Sequence, residues 1–392
     1  MLWRPTHHKM KSVLPSVYLA TFFLSVHYSI ALYIDSSFLS RFFGDTDRNT
    51  VYMLGSLFTI FCLALTPRLL RKYGNYAITM FFTALEIVTL ASLAFFSSPF
   101  LIAFVFIAHV VAINILSYNL DIFIEHGSKD ETTGQTRGVF LTVMNTAVFL
   151  GPVFVGFILS DGQFWRIYTV AGLLMLPFLY IIGQKLSTFR DPVYKDESLK
   201  EMLSLAWKNK NIRFISIANF LLQFFYVWMV IYMPIYLATA MHFNWGEIGI
   251  IFSVMLLPFI FLEYPLGEIA DHRFGEKEML IIGFIIMAIS TGAISFLTAE
   301  TSVLVWATIL FMTRVGAATV EIMTETYFFK QIEASDMSLI SFFRHTRPLS
   351  FVIGAAGASA FLAVADMKYL FLTLGILMLS GIYFALKIVD TK

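Results

Sequence analysis

The feature that most constrains this chain is a succession of long apolar runs with only short polar segments between them. Twelve runs are close to the ~20 residues that a helix needs to cross the hydrocarbon core of a bilayer. They cover 14–34, 50–67, 76–97, 100–124, 138–159, 166–184, 212–240, 247–267, 278–298, 302–324, 339–363 and 369–388. The runs are continuously apolar, without the alternation of a barrel strand. Backbone groups in lipid must be satisfied within the segment, so each run is predicted to be a helix. Composition agrees: of 392 residues, 58% are hydrophobic and 14% charged, against ~45–50% and ~25% in soluble domains. A water-soluble fold of this length could not hide so much apolar surface. A cytosolic enzyme, a disordered chain and a disulfide-built secreted module are therefore excluded. The single Cys62 permits no internal disulfide. A net charge of +1, with charge sparse between the ends, gives no footprint for nucleic acid.

Arg4, Lys9 and Lys11 precede the first run in the manner of a signal peptide. The run is long and no small-residue cleavage site follows it, so a retained helix is expected. With the N-terminus inside, 19 Lys and Arg fall in the inner segments and four, Arg41, Arg48, Arg166 and Lys368, in the outer ones. The positive-inside rule then places both termini in the cytoplasm.

The longest polar segment, 185–211, separates six spans from six, and its stretch Glu197–Trp207 has the pattern of a short interfacial amphipathic helix. The flanking halves repeat at an offset near 200 residues. Phe22, Leu24, Tyr28 and Leu39 fall on Phe220, Leu222, Tyr226 and Leu237. Asp121 and Glu125 fall on Glu321 and Glu325, Gly74 on Gly275, and Gly151 close to Gly354. The expected architecture is all-α: two homologous six-helix bundles, 1–184 and 212–392, joined by a cytoplasmic linker at 185–211.

Between the eighth and ninth spans stands Gly267-Glu-Ile-Ala-Asp271-His-Arg273-Phe-Gly275-Glu-Lys277. This segment resembles the loop signature of the major facilitator superfamily. The counterpart after the second span, Thr66-Pro67-Arg68-Leu69-Leu70-Arg71-Lys72-Tyr73-Gly74, keeps the basic residues and one glycine. It has Thr66 in place of the first glycine and Leu70 in place of the aspartate. Gly151-Pro152 with Gly156 in the fifth span is similar to the glycine-proline motif of antiporters in that family. The resemblance implies alternating-access transport of a small solute, with the site between the halves. It also implies that the loop meets the start of the fifth helix, near Arg137-Gly138. Physically, Gly267 and Gly275 allow a tight turn and close helix approach. Asp271 is an anion that the positive end of a helix would attract. Gly267, Asp271, Arg273, Gly275, Lys277 and Arg137 are therefore the expected gating residues.

Asn114, Tyr118, Asp121 and Glu125 are spaced by four, three and four, which is one helical face. Arg314, Glu321 and Glu325 continue the pattern in the second half. A charge near mid-bilayer costs at least ~2.5–3.5 kcal/mol, so Arg314 must face the bundle interior or a wet cavity. Arg344 or Arg347 is expected to pair with Glu321, Glu325 or Glu263, making a charge network with Asp121 and Glu125. Glu86, mid-way along the third span, and Glu263, one turn before Gly267, are the candidates for proton coupling, because burial raises a carboxyl pKa. His27 and His109 each read as alone among apolar neighbours. Tyr28, His27, Asn114, Tyr118, Asn219, Gln223, Tyr226 and Arg314 are the expected cavity residues. Pro234, Pro258 and Pro348 are placed to bend their helices. Neither His27 nor His109 has metal-ligand spacing with another Cys, His or carboxylate, and neither a metal nor a cofactor is expected.

The leading expectation is a monomeric secondary transporter. The chain has no phosphate-binding Gly-x-x-x-x-Gly-Lys-Ser/Thr loop. Proton-linked export of an amphipathic or drug-like compound comes first, and uptake of a nutrient or organic anion second. An integral membrane enzyme would need a catalytic set at an interface. His7-His8 has no paired acid at useful spacing, and no nucleophile-base pair is evident. A non-transporting receptor on the same scaffold is the other alternative. Short loops without an Asn-x-Ser/Thr sequon favour a prokaryotic inner membrane.

Overall fold

The computed structural model describes residues 13–32, 34–128, 130–158, 163–194 and 199–389. The basic N-terminal residues Arg4, Lys9 and Lys11, and His7-His8, lie outside the described residues. Fifteen α-helices and no strand occur among the described residues. The first half holds α1 (Val13–Leu32), α2 (Asp35–Leu39), α3 (Asp45–Phe95), α4 (Pro99–Gly127), α5 (Thr133–Ile158) and α6 (Phe164–Lys185). A linker helix, α7 (Leu199–Lys208), occupies the expected amphipathic stretch. The second half holds α8 (Lys210–Thr239), α9 (Trp245–Phe261), α10 (Glu263–Ile269), α11 (Glu276–Ala293), α12 (Val303–Lys330), α13 (Met337–Arg344), α14 (Thr346–Leu362) and α15 (Met367–Lys387).

Among the described residues, nine helical segments are long and apolar enough to cross a membrane. One of them, Thr50–Phe95, contains a break at Gly74, where φ is +78°. Dividing it there, and adding α5 and α14, gives the twelve expected spans. Two expected spans are interrupted. Leu262 separates α9 from α10, where Pro265 has no N–H to offer the Phe261 carbonyl. His345 separates α13 from α14, so Pro348 sits in the first turn of α14, where its missing N–H costs nothing. Pro234 lies within an unbroken α8.

The chain divides into two compact units. The first comprises Met1–Lys129, Val143–Leu199 and Glu333–Arg344; the second comprises Asp130–Thr142, Lys200–Ile332 and His345–Lys392. In the first, α4 and α6 pack on α3, and α1 packs on α6 and α4. In the second, α12 and α15 pack on α11, and α8 packs on α15, α14 and α12. The same pairings thus recur at the repeat offset. They recur in detail as well. A Cβ on Gly151 would meet Ser29 of α1 at 2.5 Å, and one on Gly354 would meet Val227 of α8 at 2.9 Å. Gly74 and Gly275 share left-handed φ values of 78° and 77°. Large apolar side chains such as Phe61, Phe81, Phe100 and Phe104 are exposed, as lipid contact demands.

Candidate functional site

In the first unit the fold gathers residues that are far apart in sequence. Glu86 on α3, His27 on α1 and His109 on α4 are all buried. Glu86 Oε1 lies 2.9 Å from His27 Nε2 and 2.7 Å from His109 Nδ1. The Thr89 hydroxyl donates to Glu86 Oε2 at 3.2 Å. The two histidines are therefore not alone, as their apolar sequence neighbours imply: α1 and α4 both turn their imidazoles onto one carboxyl of α3. Among the described residues no group of three or more His, Cys, Asp or Glu is arranged to hold a metal ion, so the triad is a hydrogen-bonded cluster.

A second buried acid stands nearby. Asp35 of α2 accepts a hydrogen bond from the Tyr168 hydroxyl of α6 at 2.9 Å. Burial pushes its carboxyl up to about 6, while His109 and the Tyr168 bond pull it down and Glu86 raises it further. Asp35 and Tyr168 were invisible as a pair in the sequence, because 133 positions separate them.

Asp121 of α4 is buried, and the Arg344 guanidinium at the end of α13 forks onto it, Nε to Oδ2 at 2.6 Å and Nη2 to Oδ1 at 2.8 Å. Asp121 and Arg344, both members of the expected charge network, thus meet in the fold. Arg347 is exposed at the start of α14. Tyr118 is fully buried and donates to the Met337 carbonyl at 2.6 Å. Asn114 donates to Val110 of its own helix. Tyr28 and Glu125 are half-buried.

In the second unit, the Arg314 guanidinium carbon lies 5.2 Å from the Phe225 ring centroid and 5.7 Å from that of Tyr226. The Tyr226 hydroxyl donates to Glu321 at 2.6 Å. Asn219 donates to the Thr346 hydroxyl at 2.8 Å, and Gln223 is half-buried on the same helix. Glu263 is fully buried at the start of α10.

The second unit also contains the loop between α10 and α11. Asp271 accepts backbone N–H bonds from Gly134 at 3.2 Å and Gln135 at 2.9 Å, in the first turn of α5. Lys330, ending α12, adds ion pairs to Asp271 at 2.9 Å and to Glu276 at 2.6 Å. A carboxylate on the N–H groups of a helix start, with an ammonium beside it, satisfies both helix dipole and charge. The approach is close because of glycine. A Cβ on Gly134 would stand 2.5 Å from the Gly267 carbonyl, one on Gly267 2.3 Å from the Gly134 carbonyl, and one on Gly138 2.9 Å from the Glu263 carbonyl. Gly134-x-x-x-Gly138 is the missed sequence signal, a small-residue stripe of the kind that lets helices approach in membranes. Arg137, fully buried between those glycines, lies 3.1 Å from the Phe329 ring centroid and 3.9 Å from Glu325. Arg273 is exposed and Lys277 half-buried.

The sequence model described as Major Facilitator Superfamily matches residues 122–345 and 215–392. No curated protein matches the chain. Among solved structures, the human organic anion transporter MFSD10 (TETRAN) superposes with a TM-score of 0.76 at 13% identity, over 97% of this chain and 100% of that one. A bacterial homologue of the iron transporter ferroportin, in an outward-facing state, gives 0.77 at 13% identity over 96% and 98%. The structure of such a homologue with soaked iron gives 0.71 at 12% identity over 95% and 97%. At such identities these neighbours share the fold, while the family match rests on the sequence itself. This chain, a multi-pass membrane protein, belongs to the Major Facilitator Superfamily.

Proposed function

We propose that this secondary transporter couples solute movement to protons and exports an amphipathic or drug-like compound by alternating access. The observation that carries the proposal is Glu86, a buried carboxyl on a membrane-spanning helix with an imidazole on either side. Ionisable side chains are otherwise costly there, and such residues mark ion pathways in membrane proteins. Glu263, also fully buried, is the second candidate for the proton. Export is supported by the Gly151-Pro152 motif of α5 and by the apolar character of the helices. Tyr28, Asn219, Gln223 and Tyr226 are the proposed cavity residues. The Asp271 contact with α5, together with Arg137, Gly267 and Gly275, is proposed to act as a latch that parts during the cycle. Both termini are assigned to the cytoplasm from the distribution of Lys and Arg, and the membrane to a prokaryote from the short loops without an Asn-x-Ser/Thr sequon.

Arg314 favours a second reading. A buried guanidinium under two rings would attract an organic anion, the substrate class named for the human transporter that shares this fold. Proteoliposomes with an imposed pH gradient separate the possibilities, using ethidium as the lipophilic probe and carboxyfluorescein as the anionic one. Ethidium driven against its gradient by wild type but not by Glu86→Gln is the expected result. Unchanged pH-driven transport in Glu86→Gln removes Glu86 from the coupling. Accumulation of carboxyfluorescein alone selects the anion.

A further inference from the structure

The His27–Glu86 pair carries more than the presence of a buried acid, because its hydrogen bonds fix how many protons it holds. His27 Nδ1 faces the Leu24 carbonyl. A carbonyl only accepts, so Nδ1 must carry a hydrogen. The other nitrogen, Nε2, faces Glu86 Oε1 at 2.9 Å. That contact also needs a hydrogen, either on Nε2 with Glu86 ionised or on Oε1 with His27 neutral. In both arrangements the pair holds one proton beyond the Nδ1 hydrogen. Without it, an imidazole lone pair would meet a carboxylate oxygen inside a membrane helix bundle, with nothing between them. His109 donating from Nδ1 to the same Oε1 is compatible with either arrangement.

We infer that His27 and Glu86 form a one-proton latch between α1 and α3, closed only while the proton is bound and parting when the proton leaves to water. The latch rests on the proposed proton coupling and specifies it: the proton is shared by two helices, so its departure is a movement. Other titratable groups face the latch from α4, α2 and α6. His109 comes from α4, Asp35 from α2 and, bonded to Asp35, Tyr168 from α6. Tyr52 of α3 faces Asp35, and Arg48 of α3 and Tyr28 of α1 face Tyr52 in turn. Asp35 acts electrostatically on His109, so it is the group placed to tune the latch.

The test uses spin labels on Leu19→Cys of α1 and Val88→Cys of α3, both exposed positions, in a Cys62→Ser background. In the full-length protein the distance distribution is expected to lengthen or broaden as pH rises from mildly acidic to alkaline. Glu86→Gln and His27→Gln should each abolish that response. A carboxamide at position 86 donates to the neutral imidazole, and one at position 27 donates to the carboxylate, so in neither case does the contact between positions 27 and 86 depend on a titrating proton. A wild-type distribution unchanged with pH overturns the latch, as does a response that survives in both variants. If Glu86→Gln fails to fold, His27→Gln decides alone. The two proposals fail separately. A pH-silent distance with ethidium transport lost in Glu86→Gln sinks the latch and keeps the coupling. A responsive distance with transport intact in Glu86→Gln keeps the latch and sinks the coupling.

Discussion

The two units keep their ionic side chains in different chemical company. The first gathers two imidazoles, His27 and His109, on the Glu86 carboxyl, with Asp35 and Tyr168 beside them. The second holds strong cations against aromatic rings and carboxylates, Arg314 near Phe225 and Tyr226, Arg137 near Phe329, and Lys330 between Asp271 and Glu276. A guanidinium stays charged throughout the physiological range and an imidazole does not. The helix pairings recur in the two units, while the polar residues that those helices bring together differ.

The loops at the repeat positions show the same divergence. Gly74 and Gly275 turn the backbone alike. In the second unit Asp271 is supplied by the loop itself and reaches the start of α5. In the first, Leu70 stands at the matching position, and Asp191 from beyond α6 accepts from the Asn75 backbone at 2.8 Å instead. Asp191 also accepts from the Tyr194 hydroxyl. The backbone turn survived the change of acid because its geometry depends on glycine.

Three measurements can break or sharpen this contrast. The largest effect is expected at the offset-matched acids of α4 and α12. Asp121→Ala leaves a partly buried guanidinium without its forked partner and should cost about 3–5 kcal/mol in chemical or thermal unfolding. Glu321→Ala, losing a bond from a neutral hydroxyl, should cost about 1.5–3 kcal/mol. Equal losses would erase the distinction between the two sites.

The pH dependence of Asp35 comes next. Its pKa in the fold stands at about 6, above the ordinary 3.8, so folding favours the protonated form. Its penalty is absent below 3.8, grows as pH rises through 3.8 to about 6, and is constant above. Asp35→Asn should gain on wild type by about 3 kcal/mol across that window, at 1.36 kcal/mol per pKa unit. Melting curves that stay parallel at all pH values would mean that the first unit holds no such titrating acid.

The smallest effect concerns the loops. Gly267→Ala drives a methyl into the Gly134 carbonyl and should cost about 1–3 kcal/mol. At the matching position Thr66 already carries a side chain, whose hydroxyl donates to Cys62 at 2.8 Å, and Thr66→Ala should cost only about 1 kcal/mol. A Gly267→Ala protein as stable as wild type would show that the close approach at α5 is dispensable.

Much of this was legible in the residues themselves. Twelve apolar runs and their repeat determine an all-helical bundle in lipid, because backbone groups there have no other partner. The Gly267–Lys277 signature and Asp271 were readable because a loop motif is local in sequence. The break at Leu262 and the start of a new helix at Thr346 were not, since a helix can end inside an apolar run without any change of hydropathy.

What only the tertiary structure decided is which polar groups meet. Asp121 with Arg344, Asp35 with Tyr168 and Glu86 with its two histidines join residues from 23 to 223 positions apart. Helical periodicity fixes the face on which a side chain lies, but not the helix that will face it. In lipid the apolar surfaces of helices are nearly interchangeable, so packing and shared hydrogen bonds, rather than hydrophobicity, choose the partner.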